Sequence, residues 1–306
     1  MSVATPSGLL TALTLLQTDA PAGVHGRPED WPRWEVLLPH VLAATSHTPD
    51  ELLPDGEAPV VSWLLDRAGT FLQAQGRYAD AVPLMRRALA VGEQALGRDH
   101  PDVAVRLNNL ALLLEESGEP AAARPLAERA LDIHERTLGP DHTSVAIDLS
   151  NLAVVLRDLG DPAAARPLAE RALDIHERTL GPDDPHVATD LYNLALVLRA
   201  LGEPAEARPL VERSLAINEQ ALGPDHPHVA AALNVLARVL RDLGDPAAAR
   251  PLAERALDIH ERAVGRDHPW VANHLRNLAV ILQELGDHDA AERCSARAAD
   301  ILGEGR

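Results

Sequence analysis

Residues 103–144 read VAVRLNNLALLLEESGEPAAARPLAERALDIHERTLGPDHTS, and residues 145–186 repeat them almost letter for letter. The same 42-residue register continues over 187–228, 229–270 and 271–306, and reaches back into a more divergent copy over 61–102. A fixed period of this kind marks a repeat architecture, in which each unit packs only on its neighbours. Inside the quoted copy Leu107, Leu110, Ala111 and Leu114 fall at helical spacing. Gly118 follows, where a glycine past the last turn stops a helix, and it recurs as Gly76, Gly160, Gly202, Gly244 and Gly286. Next comes Glu-Pro or Asp-Pro, as in Asp161-Pro162, an N-cap with proline at the first helical position. The second helix carries Ala123, Ala127, Ala130 and Leu131 and ends near Gly139. The loop Pro140-Asp141-His142 leads into the next copy; elsewhere this loop closes on Pro101, Pro185, Pro227 or Pro269. Two helices per period predict an all-α stack of six antiparallel helix pairs. Pro125, Pro167, Pro209 and Pro251 lie past the first turn of the second helix, where proline removes a backbone bond and predicts a bend.

Composition narrows the function classes. The formal net charge is −18, which opposes nucleic-acid binding and docking on anionic membranes. All 28 basic residues are arginine, so a P-loop lysine, a Schiff-base lysine and a lysine general base are excluded. Hydrophobic residues make up 46%, yet only seven are Trp, Tyr or Phe, so alanine and leucine must fill the core, as closely approaching helices require. Cys294 is the sole cysteine; no internal disulfide is possible, and a reduced, cytoplasmic setting fits. The opening residues lack a basic start, so they do not read as a signal peptide. No apolar run approaches the ~20 residues of a membrane span.

These features resemble the tetratricopeptide repeat family. Ala111, Ala123 and Ala130 take its small-residue positions, and Leu107, Leu110 and Leu114 its large ones. The 42-residue length, the LNNLA first helix and the LGPDHP-type loop resemble the longer subtype of kinesin light chains, which also occurs at the C-terminal end of bacterial NB-ARC-type signalling ATPases. The resemblance implies a right-handed superhelical solenoid over 59–306. Residues 1–58 read as a helical N-terminal cap and linker: Leu9, Leu10, Leu13 and Leu16 predict one helix, Trp34 to Ser46 another, and 48–58 a linker. The stretch DWPRWEVLLPHVLAATSH, residues 30–47, resembles the segment joining ATPase to repeats in those regulators. Glu292, Arg293, Ser295 and Arg297 predict a polar terminal cap at the other end.

In this family the first helices line a concave groove, and the resemblance places candidate peptide-binding residues residue by residue. They are Asn109 and Asn151; Arg157; Tyr192, Asn193, Leu196 and Arg199; Asn234, Arg238 and Arg241; and Arg276 with Asn277. Asparagine amides both donate to and accept from an extended backbone. Arginine forks hold carboxylates in bidentate fashion. The competing reading is structural: asparagine bonds the neighbouring repeat, and arginine pairs with Asp158 or Asp242 on the same surface.

Other constellations carry less. His134, His176 and His260 occupy one position in successive copies, too far apart for a shared metal, and read as a solvated ladder. His100, His142, His226 and His268 at the joints read as helix caps or as bonds across to neighbouring repeats. The pattern Glu128-Arg129, Asp132, Glu135, Arg136 reads as a solvated face. No HExxH or GxSxG occurs, so neither an enzyme, a cofactor nor a metal is expected. The expected function is a non-catalytic module that binds a protein or peptide ligand, an extended segment that is acidic or has a free C-terminus, in the concave groove, as the sensor part of a signalling system. The alternative is a scaffold that self-associates through its repeating surface.

Overall fold

The computed structural model describes residues 8–21, 27–46, 50, 53 and 56–303, so the expected linker lies partly outside the described residues. All regular structure among them is helical. The chain divides into two compact units, Met1–Asn151 and Leu152–Arg306. The first holds α1 (Gly8–Asp19), a 3-10 turn at Pro28–Asp30, α2 (Trp31–Ser46), α3 (Ala58–Ala74), α4 (Tyr78–Leu96), α5 (Pro101–Glu116), α6 (Pro120–Leu138) and the opening of α7 (Thr143–Asp158). The second holds the rest of α7, then α8 (Pro162–Leu180), α9 (Pro185–Ala200), α10 (Pro204–Leu222), α11 (Pro227–Asp242), α12 (Pro246–Val264), α13 (Pro269–Glu284) and α14 (His288–Leu302). In unit one α3 packs on α4 and α5 on α6; in unit two α9 packs on α10, α11 on α12 and α13 on α14. Second helices also pack on the next first helix, as α4 does on α5 in unit one and as α8 does on α9, α10 on α11 and α12 on α13 in unit two.

The turn chemistry sets the boundaries. After α5 the Gly118 N–H bonds Glu115 O at 2.9 Å and the Glu119 N–H bonds Leu114 O at 2.7 Å, closing a Schellman motif around a glycine at φ 87°. The Asp-Pro and Glu-Pro turns then behave differently. Asp161, Asp245 and Asp287 accept from backbone N–H groups at 3.1, 3.0 and 3.3 Å, whereas Glu119 and Glu203 make no side-chain cap bond. Glutamate's extra methylene carries its carboxylate past the first-turn amides. The joint histidines do cap: the Nδ1 atoms of His100, His142 and His226 each accept from the backbone N–H two residues on at 3.1 Å, and His268 at 3.2 Å. The helices run unbroken through Pro125, Pro167, Pro209 and Pro251. Each proline is the sixth residue, so the carbonyl it leaves unpaired is still in the opening turn.

The core is the Ala/Leu seam that the sequence requires. Val229, Ala230 and Leu233 of α11 meet Ala256 and Ile259 of α12, with Leu215 and Leu252 closing the cluster. The first repeat departs from the pattern in a compensated way. Where later copies pair Ala111 with Ala127, it has Gly69 and Met85. A Cβ on Gly69 would stand 2.5 Å from Met85 Cγ. We expect G69A to cost about 1–3 kcal/mol by overpacking and M85A about 2–5 kcal/mol by leaving a cavity. The double variant recreates the Ala–Ala seam and should cost clearly less than the sum in a urea-unfolding cycle. Additive penalties would mean the two positions do not compensate.

Buried polar pairs fasten the joints between repeats, which corrects the expectation of a solvated histidine ladder. His134, His176 and His260 are 2, 1 and 5% exposed. His134 Nδ1 meets Asp148 Oδ2 at 2.6 Å and its Nε2 meets Pro101 O at 3.2 Å; His176 Nδ1 meets Asp190 Oδ2 at 2.5 Å. At α12–α13 the fourteenth residue onward is His274, and His260 Nδ1 bonds its Nε2. Arginines of the expected solvated face also reach across the joints: Arg213 bonds Glu177 at 2.5 Å and Pro182 O at 2.7 Å, and Arg129, Arg255 and Arg297 repeat the arrangement. Arg297 therefore belongs to this ladder, while Glu292, Arg293 and Ser295 are exposed. Cys294 is half-buried beside Val271 and Leu275, and burial pushes its thiol up.

Candidate ligand-binding faces

The candidate residues sit on first helices, whose register brings residues three or four apart onto one face. In unit one this face is predominantly acidic. The Asp66 carboxylate accepts from Arg67 at 2.8 Å and from Asn109 Nδ2 at 3.0 Å. Gln73 Nε2 donates to Glu116 at 2.9 Å. Burial, Glu116 and Glu115 together push the Tyr78 phenol up to about 12. Asn109 thus gives its amide donor to the neighbouring repeat, and Asn151 is half-buried on α7.

In unit two the corresponding face is basic. Asp242, at the end of α11, accepts from Arg199 Nε at 2.6 Å and from Arg241 Nη2 at 2.8 Å, so one carboxylate serves guanidinium groups from two helices. Arg238 lies one helical turn before Asp242 and Arg241. Among the described residues Arg199 and Arg241 have their carboxylate, while no hydrogen bond or ion pair is found for Arg238. Its guanidinium is held below the usual range chiefly by burial and next by Arg199, with Arg241 acting in the same direction and Asp242 opposing. Glu284 stands 3.9 Å from Arg241, at the edge of ion-pair distance.

The remaining candidates frame this cluster. Arg157 pairs with Asp158 at 2.6 Å. Tyr192 and Leu196 are half-buried on α9, and Arg276 is exposed on α13. Asn193 and Asn277 lie in the buried seams at 8 and 7% exposure, and Asn277 Nδ2 donates to Asn234 Oδ1 at 2.8 Å. The structure therefore brings Arg199, Arg238, Arg241 and Tyr192 together. It places the asparagines it describes mainly in contacts between repeats. Asp242 as the shared carboxylate was foreseen only as a competitor; the sequence signal for its role is its place directly after Arg241. Among the described residues no three of His, Cys, Asp and Glu converge on a metal position, and no helix is long and apolar enough to cross a membrane.

Comparison with known proteins bears on the repeat fold. A tetratricopeptide repeat profile matches residues 60–136, 107–178, 144–220, 187–262 and 236–304. No curated protein matches the chain. Among solved structures, a Podosopora anserina protein described as a kinesin light chain with nearly identical TPR-like repeats is 27% identical, with a TM-score of 0.51 over 66% of this chain and 96% of its own. BtubC (BKLC) from P. vanneervenii is 21% identical, with a TM-score of 0.55 over 85% and 94%. A Rap protein solved as a complex with Competence and Sporulation Factor is 16% identical, with a TM-score of 0.68 over 99% and 89%.

Proposed function

The chain belongs to the tetratricopeptide repeat family, whose members mediate protein–protein interaction, and from that premise we propose that its second unit captures an acidic peptide segment on the face carrying Arg199, Arg238 and Arg241. The observation that carries this reading is Arg238. A half-buried guanidinium beside two others is costly unless an anion offsets it. Here the cost persists within a protein of net charge −18, whose acidic residues outnumber its basic ones 46 to 28. A carboxylate from a side chain or a free C-terminus matches the forked donors, while Tyr192 and Leu196 offer apolar contact beside them. Asn109, Asn151, Asn193, Asn234 and Asn277 act mainly in positioning the helices. That a Rap protein of the same fold was solved with a bound factor is compatible with such a role. The likeness of residues 30–47 to a segment of bacterial signalling ATPases extends the proposal to a sensing role in the cytoplasm.

Charge reversal tests the face. R199E/R241E, checked for unchanged helicity, is expected to weaken capture of a Glu/Asp-rich peptide pool at least tenfold. It should also flatten the dependence of that capture on salt, because the lost contacts are Coulombic. Undiminished affinity overturns the assignment of these arginines.

A further inference from the structure

The charge count of this cluster defines its ligand more narrowly. Three guanidinium groups, Arg199, Arg238 and Arg241, surround one carboxylate within hydrogen-bond distance, that of Asp242, and it reaches only two of them. Glu284 stands 3.9 Å from Arg241, so two carboxylates face the three guanidinium groups, and no hydrogen bond or ion pair joins either of them to Arg238. An anion that takes the place of Asp242 therefore meets two positive charges, which a single carboxylate matches only by half and a dianion balances. We propose that the subsite recognises a phosphomonoester on a peptide side chain, with Asp242 standing as the internal anion that the phosphate supplants. This rests on the acidic-peptide reading above and deepens it.

The chemistry favours phosphate on three counts. A phosphomonoester carries about −1.5 to −2 charges at pH 7 and three acceptor oxygens. Those oxygens can take donors from separate guanidinium forks, which a planar carboxylate with two oxygens does less completely. The donors also come from two helices, Arg199 from α9 and Arg238 with Arg241 from α11, so they approach from different directions, as a tetrahedral group requires. The Asp242 carboxylate is at the solvent-exposed end of α11 and can swing away without moving backbone. Tyr192, half-buried on α9, adds a phenol at the rim.

The test uses the full chain and three blocked degenerate peptide pools that differ only at their central residue: phosphoserine, glutamate or serine. Calorimetric or anisotropy titration at pH 7.5 should show the phosphoserine pool binding at least tenfold tighter than the glutamate pool. That ratio should shrink as the pH falls through about 6, where the phosphate loses its second charge. R238Q should bring the ratio close to one. D242N, which removes the internal competitor, should tighten phosphoserine binding several-fold, a gain that misfolding cannot imitate. Equal affinity for the phosphoserine and glutamate pools overturns the phosphate assignment and leaves the acidic-peptide reading standing. Failure of both pools to bind overturns that reading itself. Binding of inorganic phosphate with no gain from the peptide overturns the peptide as its carrier.

Discussion

Lowering the pH from 7 to 5 is expected to loosen the α12–α13 joint by about 4 kcal/mol and release the last repeat first. His260 and His274 meet ring to ring at 5 and 4% exposure. Burial is the chief cause that lowers the His260 ring to about 3, with His274, His268, His228 and His226 adding like charge; burial alone lowers His274 to about 4. No carboxylate is among the groups acting most strongly on either ring, so a proton arriving there is buried without an anion. The folded values lie below the unfolded value of about 6.5, so the stabilisation is complete above that pH and declines as the pH falls toward the folded values. At pH 5 each ring then costs about 2 kcal/mol. Because repeats are coupled mainly to their neighbours, the loss should appear as faster amide exchange in α13 and α14. H274D would give His260 the carboxylate that His134 and His176 already have, and should abolish the acid sensitivity. Protection in α13 and α14 that is unchanged between pH 7 and 5, after correction for intrinsic exchange, would sink the idea.

The α6–α7 joint has the opposite sign. Burial works to lower the His134 ring, but the Asp148 carboxylate, with Pro101 O on the other nitrogen, outweighs it, and the net shift is upward. Burial raises Asp148 as well. Because the folded His134 value lies above the unfolded one, its contribution to this joint is complete below about pH 6.5 and is lost as the pH rises through the raised histidine value. One sequence position, occupied by histidine in both joints, thus acts as two opposite devices depending on the residue fourteen places on.

That contrast shows what was legible and what was not. The period, glycines and prolines define two helices per copy because turn chemistry is local: Gly118 at φ 87° needs nothing beyond its own neighbours. Burial of the polar joints is a tertiary property, and helical periodicity alone places a histidine such as His134 at the margin of the apolar stripe. A signal was nevertheless present. The pairs at i and i+14 change together along the chain: Gly92 with Arg106, His134 with Asp148, His176 with Asp190, Asn218 with Ala232, His260 with His274. Gly92 shows the logic, since a Cβ there would stand 3.1 Å from Arg106 Cδ, so the bulky partner requires the empty one. The arginine face was legible as residue types at equivalent positions. That Asp242 would satisfy Arg199 and Arg241 yet leave Arg238 was not, because it depends on how two helices approach each other.

W34A is expected to cost about 3–5 kcal/mol and to uncover the first repeat, since it removes a large side chain from a closed site. Trp34 is fully buried and stacks on Phe71 of α3 with centroids 6.1 Å apart. Its helix, α2, stands where an earlier repeat would stand. Arg87 occupies the position that Arg129, Arg213, Arg255 and Arg297 hold in later copies, where each bonds a glutamate and a loop carbonyl of the preceding repeat. Arg87 finds both partners in the cap segment: Asp50 at 2.7 Å and Thr45 O at 2.6 Å. These half-exposed ion pairs contribute little individually, so the apolar contact of Trp34 must hold the cap in place. Without it Phe71 and the Arg87 fork face water, and they form the surface onto which another repeat of this pattern stacks. Light scattering of W34A should therefore show concentration-dependent association that the unmodified chain lacks at the same concentrations. W34F is the control: it keeps an aromatic ring against Phe71 and deletes Nε1, an N–H buried with no acceptor, so it should retain the cap at a cost of about 1 kcal/mol or less. A W34A chain that loses stability yet stays monomeric would show that α1 and α2 stabilise the first repeat without shielding a stacking surface.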